Sequence, residues 1–276
     1  MNKMKLLLIL VTVLVSGLAA SNYAWATSST GFRTVGDDIF DDWDISRTRA
    51  TGADGFYQIS EKGFRPVIAL ESLGEEADIA YGMGEQMAGK YPDRVQRAEK
   101  IFYYVRDRVR YTPDIDQFQH DEFAQNADEL ADRIAQNGFA HGDCEDSAVL
   151  LAVMYQGAGY RSAIAVAPGH TAAMVYLPEY KKGSPFKMNG EEGWVWAEAT
   201  GGKNPLGWVA KEFINEELYA YEIKEERVTR AEPTEAPATI TTGEGRGGGS
   251  ASFPVPFFSI IFFLWFISRL FRRRAR

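Results

Sequence analysis

Apolar positions recur at helical spacing through the middle of this 276-residue chain, then give way to short, nearly continuous apolar runs. Ile79, Met83 and Met87 lie four apart. Pro92-Asp93 opens a stronger repeat, in which Val95, Ala98, Phe102, Val105 and Val109 fall at three- and four-residue steps. Arg94, Arg97, Lys100 and Arg108 stand among the intervening positions, the pattern of an amphipathic helix. Asn126 to Asn137 predicts a short helix with Leu130 and Ile134 inward and Gly138 as its stop. Ser147 to Tyr155 is apolar all round, which predicts a buried helix ending near Gly157 and Gly159. After it the period changes. Arg161–Ala167, His170–Leu177 and Gly193–Thr200 read as strands, separated by Pro168-Gly169 and by a polar loop from Pro178 to Glu192. Helices followed by antiparallel strands predict one α+β domain over residues 74–225. Residues 27–73 show no clear period and form an N-terminal extension, either wrapped on the domain or partly disordered. Its aspartates (Asp37, Asp38, Asp41, Asp42, Asp44) read as solvated acidic surface.

The two ends set the expected compartment. A basic head with Lys3 and Lys5, the apolar run Leu6–Ala20 and the small residues of Ala24-Trp25-Ala26 predict a secretory signal over residues 1–26. Residues 253–271 are almost wholly apolar and predict a transmembrane helix, near the lower length limit of roughly 17 residues. The basic tail at 272–276 should remain cytoplasmic, leaving the body outside. The Pro/Thr/Gly-rich stretch 226–252 reads as a stalk. The expected protein is therefore a single-pass membrane protein with its domain extracytoplasmic, at the surface or in the periplasm.

Charge then narrows the partners. The chain carries 30 Lys+Arg against 38 Asp+Glu. Setting aside Lys3, Lys5, Arg269 and the four arginines of the tail leaves 23 basic residues in the body, a formal charge of −15. So acidic a body is unsuited to nucleic acid and to docking on anionic lipid.

Cys144 is the only cysteine, in Gly142-Asp143-Cys144-Glu145-Asp146 directly before the buried helix. An exported cysteine without a partner in its own chain is an inter-chain disulfide or a free thiol. At a helix start, unpaired N–H groups favour a thiolate, whereas the plain alternative is a small residue that only packs. A thiol that attacks acyl carbon needs a base and a group that orients the base. His170 opens the next-but-one element, and Glu198 sits between Ala197 and Ala199 in an apolar strand, where a carboxylate calls for a partner. On neighbouring strands the two can lie side by side. A zinc site built from His141, Asp143, Cys144 and His170 is the rival arrangement, but its spacing does not match the usual ligand spacings.

These residues resemble the transglutaminase-like superfamily, whose fold is related to that of papain-type proteases. The resemblance is carried by Gly142–Asp146 before an apolar helix, Gly169-His170 opening a strand, and Trp196-Ala-Glu198-Ala-Thr200. Upstream, Val109-Arg-Tyr-Thr-Pro-Asp114 with Phe118-Gln119 is similar to the segment before the cysteine in microbial members. It implies a papain/transglutaminase-like core, with N-terminal helices packed on an antiparallel sheet. It also implies Cys144 as nucleophile, His170 as base and Glu198 as orienter, acting through an acyl thioester without metal or cofactor. Glu198 replaces the family's commonest aspartate, and the loop between the second and third strands is long. The expected activity is that of a cysteine peptidase or amidase on protein or peptide, with a crosslinking acyl transferase or a silent surface binding module as alternatives. Gln117, Gln119 and Trp196 are candidate oxyanion donors. The helix start and a His170 imidazolium predict a Cys144 pKa below about 8.5. Asp143, Glu145 and Asp146 oppose that shift if they stay unpaired.

Overall fold

The computed structural model describes residues 29, 31–60, 63–73, 79–183, 185–214, 218–224 and 237–242. Its hub is the helix that begins at the cysteine. We number the helices α1 (Val67–Leu70), α2 (Ala80–Lys90), α3 (Arg94–Arg106), α4 (Asp114–Gln117), α5 (Ala127–Asn137) and α6 (Cys144–Gly157). Every α6 residue from Cys144 to Tyr155 is buried, the apolar run from Ala148 as its pattern requires and the polar first turn with it. The helix packs on α2, α3 and α5 and against the sheet. Glycine makes the α2 contact possible. A Cβ on Gly84 would stand 2.1 Å from the Met154 carbonyl oxygen, and one on Gly157 2.1 Å from that of Tyr81. The two backbones therefore touch where no side chain intervenes.

Local chemistry starts and stops these helices as the sequence suggests. Asp93 caps α3 by accepting from the Gln96 N–H at 2.8 Å. Asn126 and Glu129 form a capping box on α5, and Gly138 ends that helix in the left-handed region at φ 81°. Helix α3 ends at Arg106, however, so Val109 does not extend its apolar stripe. Val109 instead opens β5 (Val109–Tyr111), which pairs in parallel with β6 (Ala140–Gly142).

The remaining strands are β1 (Phe32–Val35) with β2 (Asp38–Asp41), β3 (Gln58–Ser60) with β4 (Gly63–Arg65), and a six-stranded barrel. The barrel contains β7 (Ser162–Ala167), β8 (His170–Tyr176), β9 (Pro185–Met188), β10 (Glu191–Ala197), β11 (Leu218–Glu222) and β12 (Ala238–Thr242). All its pairings are antiparallel, in the closed order β10-β8-β7-β11-β12-β9. Period-two alternation divides the side chains. Ala163, Ala165, Ala172 and Ala220 fill the barrel with Trp194, Trp196 and Phe186. Ile164, Val166, Val175, Val195 and Tyr219 join the helical core. Small residues on three strands leave room for two indoles on a fourth.

The mixed helix-and-sheet core agrees with the expected α+β class, and the structure corrects several details. The polar loop expected over 178–192 contains β9, in which Phe186 and Met188 alternate inward between exposed residues. The expected stalk contains β12, whose buried positions alternate and which closes the barrel between β11 and β9. A five-residue strand is easily hidden by the Pro/Glu/Thr composition before it.

The N-terminal segment is built into the domain. Asp41, expected on the solvated surface, is buried and accepts from Arg47 Nε at 2.6 Å. Arg47 also donates to Glu71 at 2.9 Å, and to Glu129 and the Ala124 carbonyl at 3.0 Å each. A fully buried guanidinium thus joins this segment to the N-terminus of α5. The expected signal at 1–26 and transmembrane segment at 253–271 lie outside the described residues. Among the described residues, no helix is long and apolar enough to cross a membrane.

Candidate active site

The Gly142–Asp146 motif is set by contacts on both sides. β5 delivers Thr112, whose N–H donates to the Gly142 carbonyl at 3.0 Å. A Cβ on Gly142 would lie 2.8 Å from Asp146 Oδ2, so glycine allows β6 to run directly into the helix. Asp143 and Asp146 form a capping box around the first turn. Gln125 grips Asp146 from its backbone N–H at 2.8 Å and its amide at 2.6 Å. Cys144 is the first residue of α6 and is 7% exposed. Its thiol donates to Glu145 Oε2 at 3.1 Å and accepts from the Thr171 N–H.

Thr171 directly follows His170, the first residue of β8, so the base lies beside the thiol along the chain. His170 Nε2 hydrogen-bonds Glu198 Oε2, which leaves Nδ1 of the ring. The ring stacks on Phe213 of the 3₁₀ turn Lys211–Phe213, with centroids 5.8 Å apart and planes inclined by 7°. β10 ends at Ala197, so Glu198 is not within the strand but just past it. The register Ala197↔Ala173 puts His170 and Glu198 in a diagonal relation across the two strand ends. Glu198 Oε1 accepts the Thr200 N–H at 3.0 Å and the Thr200 hydroxyl, while its carbonyl accepts from Asn204. Burial acts to raise the Glu198 pKa. The hydrogen bond and charge of His170, with the Thr200 donors, outweigh it and hold the carboxyl below its ordinary value.

The cysteine is in the opposite state to the expected one. Burial, then the charges of Glu145 and Asp143 and the hydrogen bond to Glu145, push its pKa well up. The helix start does not overcome them, and the resting sulfur is a thiol. The acids around it are crowded for the same reason. Burial, with Asp143 and Asp146 next, pushes Asp114 up to about 9. Burial and Asp143 raise Asp146 to about 8, and burial raises Glu145 to about 7 against an opposing hydrogen bond from Asp143. Oxygen-rich groups such as Asp114-Glu122-Glu145 and Asp114-Asp143-Asp146 bring their ligand atoms within 4.8 Å of one another, a donor set suited to a hard cation. Asp143, Cys144 and Glu145 form a third close group, in which a sulfur takes the place of one oxygen donor. Among the described residues no candidate metal cluster includes a histidine, so the alternative with His141 and His170 is not assembled.

These shifts set a pH dependence. Carboxyls with folded pKa values raised above their unfolded ones hold protons that the unfolded chain has lost. Their stabilising contribution is full below about pH 4 and is lost as pH rises through about 7 to 9. The urea midpoint should accordingly be higher at pH 5 than at pH 8.5, and Asp114→Asn should flatten the difference. An equal or higher midpoint at pH 8.5 contradicts the protonated cluster.

The other expected residues are placed elsewhere. His141 is exposed and pairs through Nδ1 with the Thr112 hydroxyl at 2.7 Å. Trp196 points into the barrel, Gln117 is oriented between the His141 carbonyl and Arg133, and Gln119 occupies a left-handed turn. Sequence reasoning did not single out Thr171, Asn204, Phe213 or Tyr57. Thr200 was noted only as a neighbour of Glu198. Of these only Phe213 carries a local signal, an aromatic residue in a polar stretch.

Residues 82–213 match the family model of the transglutaminase-like superfamily. The match spans Cys144, His170, Glu198 and Phe213, and ends before β11 and β12. The comparisons with curated proteins and with solved structures find no match.

Proposed function

Starting from residues 82–213 as a domain of the transglutaminase-like superfamily, we propose that the chain is a cysteine peptidase or amidase working through an acyl thioester on Cys144. One observation carries this reading: a buried Glu198 holds His170 at the strand end whose next N–H touches the Cys144 sulfur. This arrangement supports assigning Cys144 as nucleophile, His170 as base and Glu198 as orienter.

The reaction starts from the thiol. His170 Nδ1 takes the proton as sulfur approaches the carbonyl carbon, so deprotonation accompanies attack and no resting ion pair is required. Glu198 keeps Nε2 protonated and stabilises the imidazolium that results. The imidazolium then protonates the leaving amine, and a water activated by the same ring resolves the thioester. We assign hydrolysis over transfer because the resemblance to crosslinking enzymes is confined to the core motif. The substrate class is protein or peptide. Export and a C-terminal membrane tether belong to the same proposal, on the support of the apolar segments at the two ends.

The test is peptide cleavage in a denatured protein mixture with a fluorescent primary amine present. New N-termini should appear with the full chain and not with Cys144→Ala. Incorporation of the amine without new N-termini would establish the transferase reading instead. Neither product would point to a binding module.

A further inference from the structure

We propose that the Tyr57 hydroxyl is a further catalytic group of this site, the donor that meets the negative charge on the substrate's carbonyl oxygen when Cys144 attacks. The inference rests on the thiol-enzyme reading and adds a residue from outside the family match.

Tyr57 is 4% exposed and firmly placed. Its ring meets Phe56 and Phe64 edge-on at 4.9 and 5.6 Å, and its N–H donates to the Ala50 carbonyl at 3.0 Å. The buried Arg47 ten residues earlier fixes the same segment. The ring is therefore accounted for by packing, but the hydroxyl is not. It is buried and no acceptor is placed for its proton; the Thr171 side chain bonds it in the sense that favours the phenolate, as a donor to the phenol oxygen. Glu145, Cys144 and Asp143 are the ionisable groups around it. Thr171 lies between the two groups, with its side chain toward the phenol and its N–H on the sulfur.

A buried donor with no acceptor is destabilising, and phenylalanine would fill the same space without that cost. Such atoms call for a specific explanation, and an acceptor that exists only during the reaction supplies one. In the first step sulfur bonds to the carbonyl carbon and its proton passes to His170. The π pair of the carbonyl moves onto oxygen. Tyr57 donates a hydrogen bond to that oxygen and keeps its own proton. Collapse restores the carbonyl and breaks the bond to the leaving group, which takes the proton from His170. A donor already fixed by the packing of its ring needs no reorganisation at this moment. The neighbouring acids make it more necessary, because Asp143 and Glu145 repel charge developing there when they are ionised.

The experiment compares two electrophiles on Cys144, followed by mass spectrometry of the intact chain. p-Nitrophenyl acetate acylates through an oxyanion, whereas iodoacetamide alkylates by direct displacement and forms none. Tyr57→Phe should lower the acylation rate by about 10²- to 10³-fold, leave alkylation unchanged, and keep or raise the thermal midpoint. Equal acylation in wild type and Tyr57→Phe overturns the inference while leaving the thiol enzyme intact. Parallel loss of both reactions also overturns it, since Tyr57 would then only position the thiol. A wild-type chain that is alkylated but never acylated removes the thiol-enzyme reading and this inference with it.

Discussion

Glu198→Gln should yield a folded protein whose turnover falls by up to about 10⁴, the size of the corresponding loss in a serine protease triad. Glutamine keeps nearly the same volume and an acceptor oxygen, so Thr200 and Asn204 retain most of their contacts. It loses the charge that stabilises the His170 imidazolium and the preference for a proton on Nε2. A triad with a preformed thiolate tolerates that loss better. On the proposed mechanism the raised Cys144 pKa leaves His170 to act as a true base, so the larger effect is expected. Glu198→Asp should retain partial activity, because its charge is correct and its reach one methylene short. The check is single-turnover acylation of each variant, with circular dichroism to confirm folding. Full activity of Glu198→Gln would remove Glu198 from the mechanism.

Arg47→Leu should cost about 3–5 kcal/mol of stability, the usual effect of removing one partner from a buried ion pair. The guanidinium and the Asp41 and Glu71 side chains have no solvent exposure, and Glu129 is mostly covered. Leucine would strand two carboxylates in the interior with no water to replace the lost bonds. Restoring neutrality with Asp41→Asn and Glu71→Gln should recover much of the loss, which a simple packing defect would not allow. Urea unfolding of the three forms measures this, and a loss below 1 kcal/mol would mean that the N-terminal segment is not integral. Because that segment carries Tyr57, the variant should also acylate slowly below its unfolding transition.

The residues proposed to act with Cys144 were legible because each sits in a local pattern. A cysteine heads an apolar helix, a histidine follows Pro-Gly at a strand start, and a carboxylate interrupts an apolar run. What escaped depends on contacts between distant segments. Arg47 meets Ala124 and Glu129 across 77 and 82 residues of sequence, so its burial has no signature in its own neighbourhood. β12 is five residues long in a stretch whose composition suggests a linker, and only its partners β11 and β9 make it a strand. The raised pKa of Cys144 escapes the sequence for a related reason. The helix-start effect is visible in sequence, whereas desolvation and the charges of Glu145 and Asp143 depend on how deeply the turn is buried. Asp41 illustrates the same limit, since its place in an acidic run hides the one arginine that it serves.

The central claim is that Cys144 becomes an acyl carrier with His170 as its base. The most direct test is to mix the full chain with p-nitrophenyl acetate, quench in acid and map the added mass by peptide sequencing. The account predicts a hydroxylamine-labile acetyl group on Cys144 in the wild type, formed far more slowly in His170→Ala at pH 7. Acetylation confined to lysines, or Cys144 acetylated at the same rate with and without His170, would contradict it.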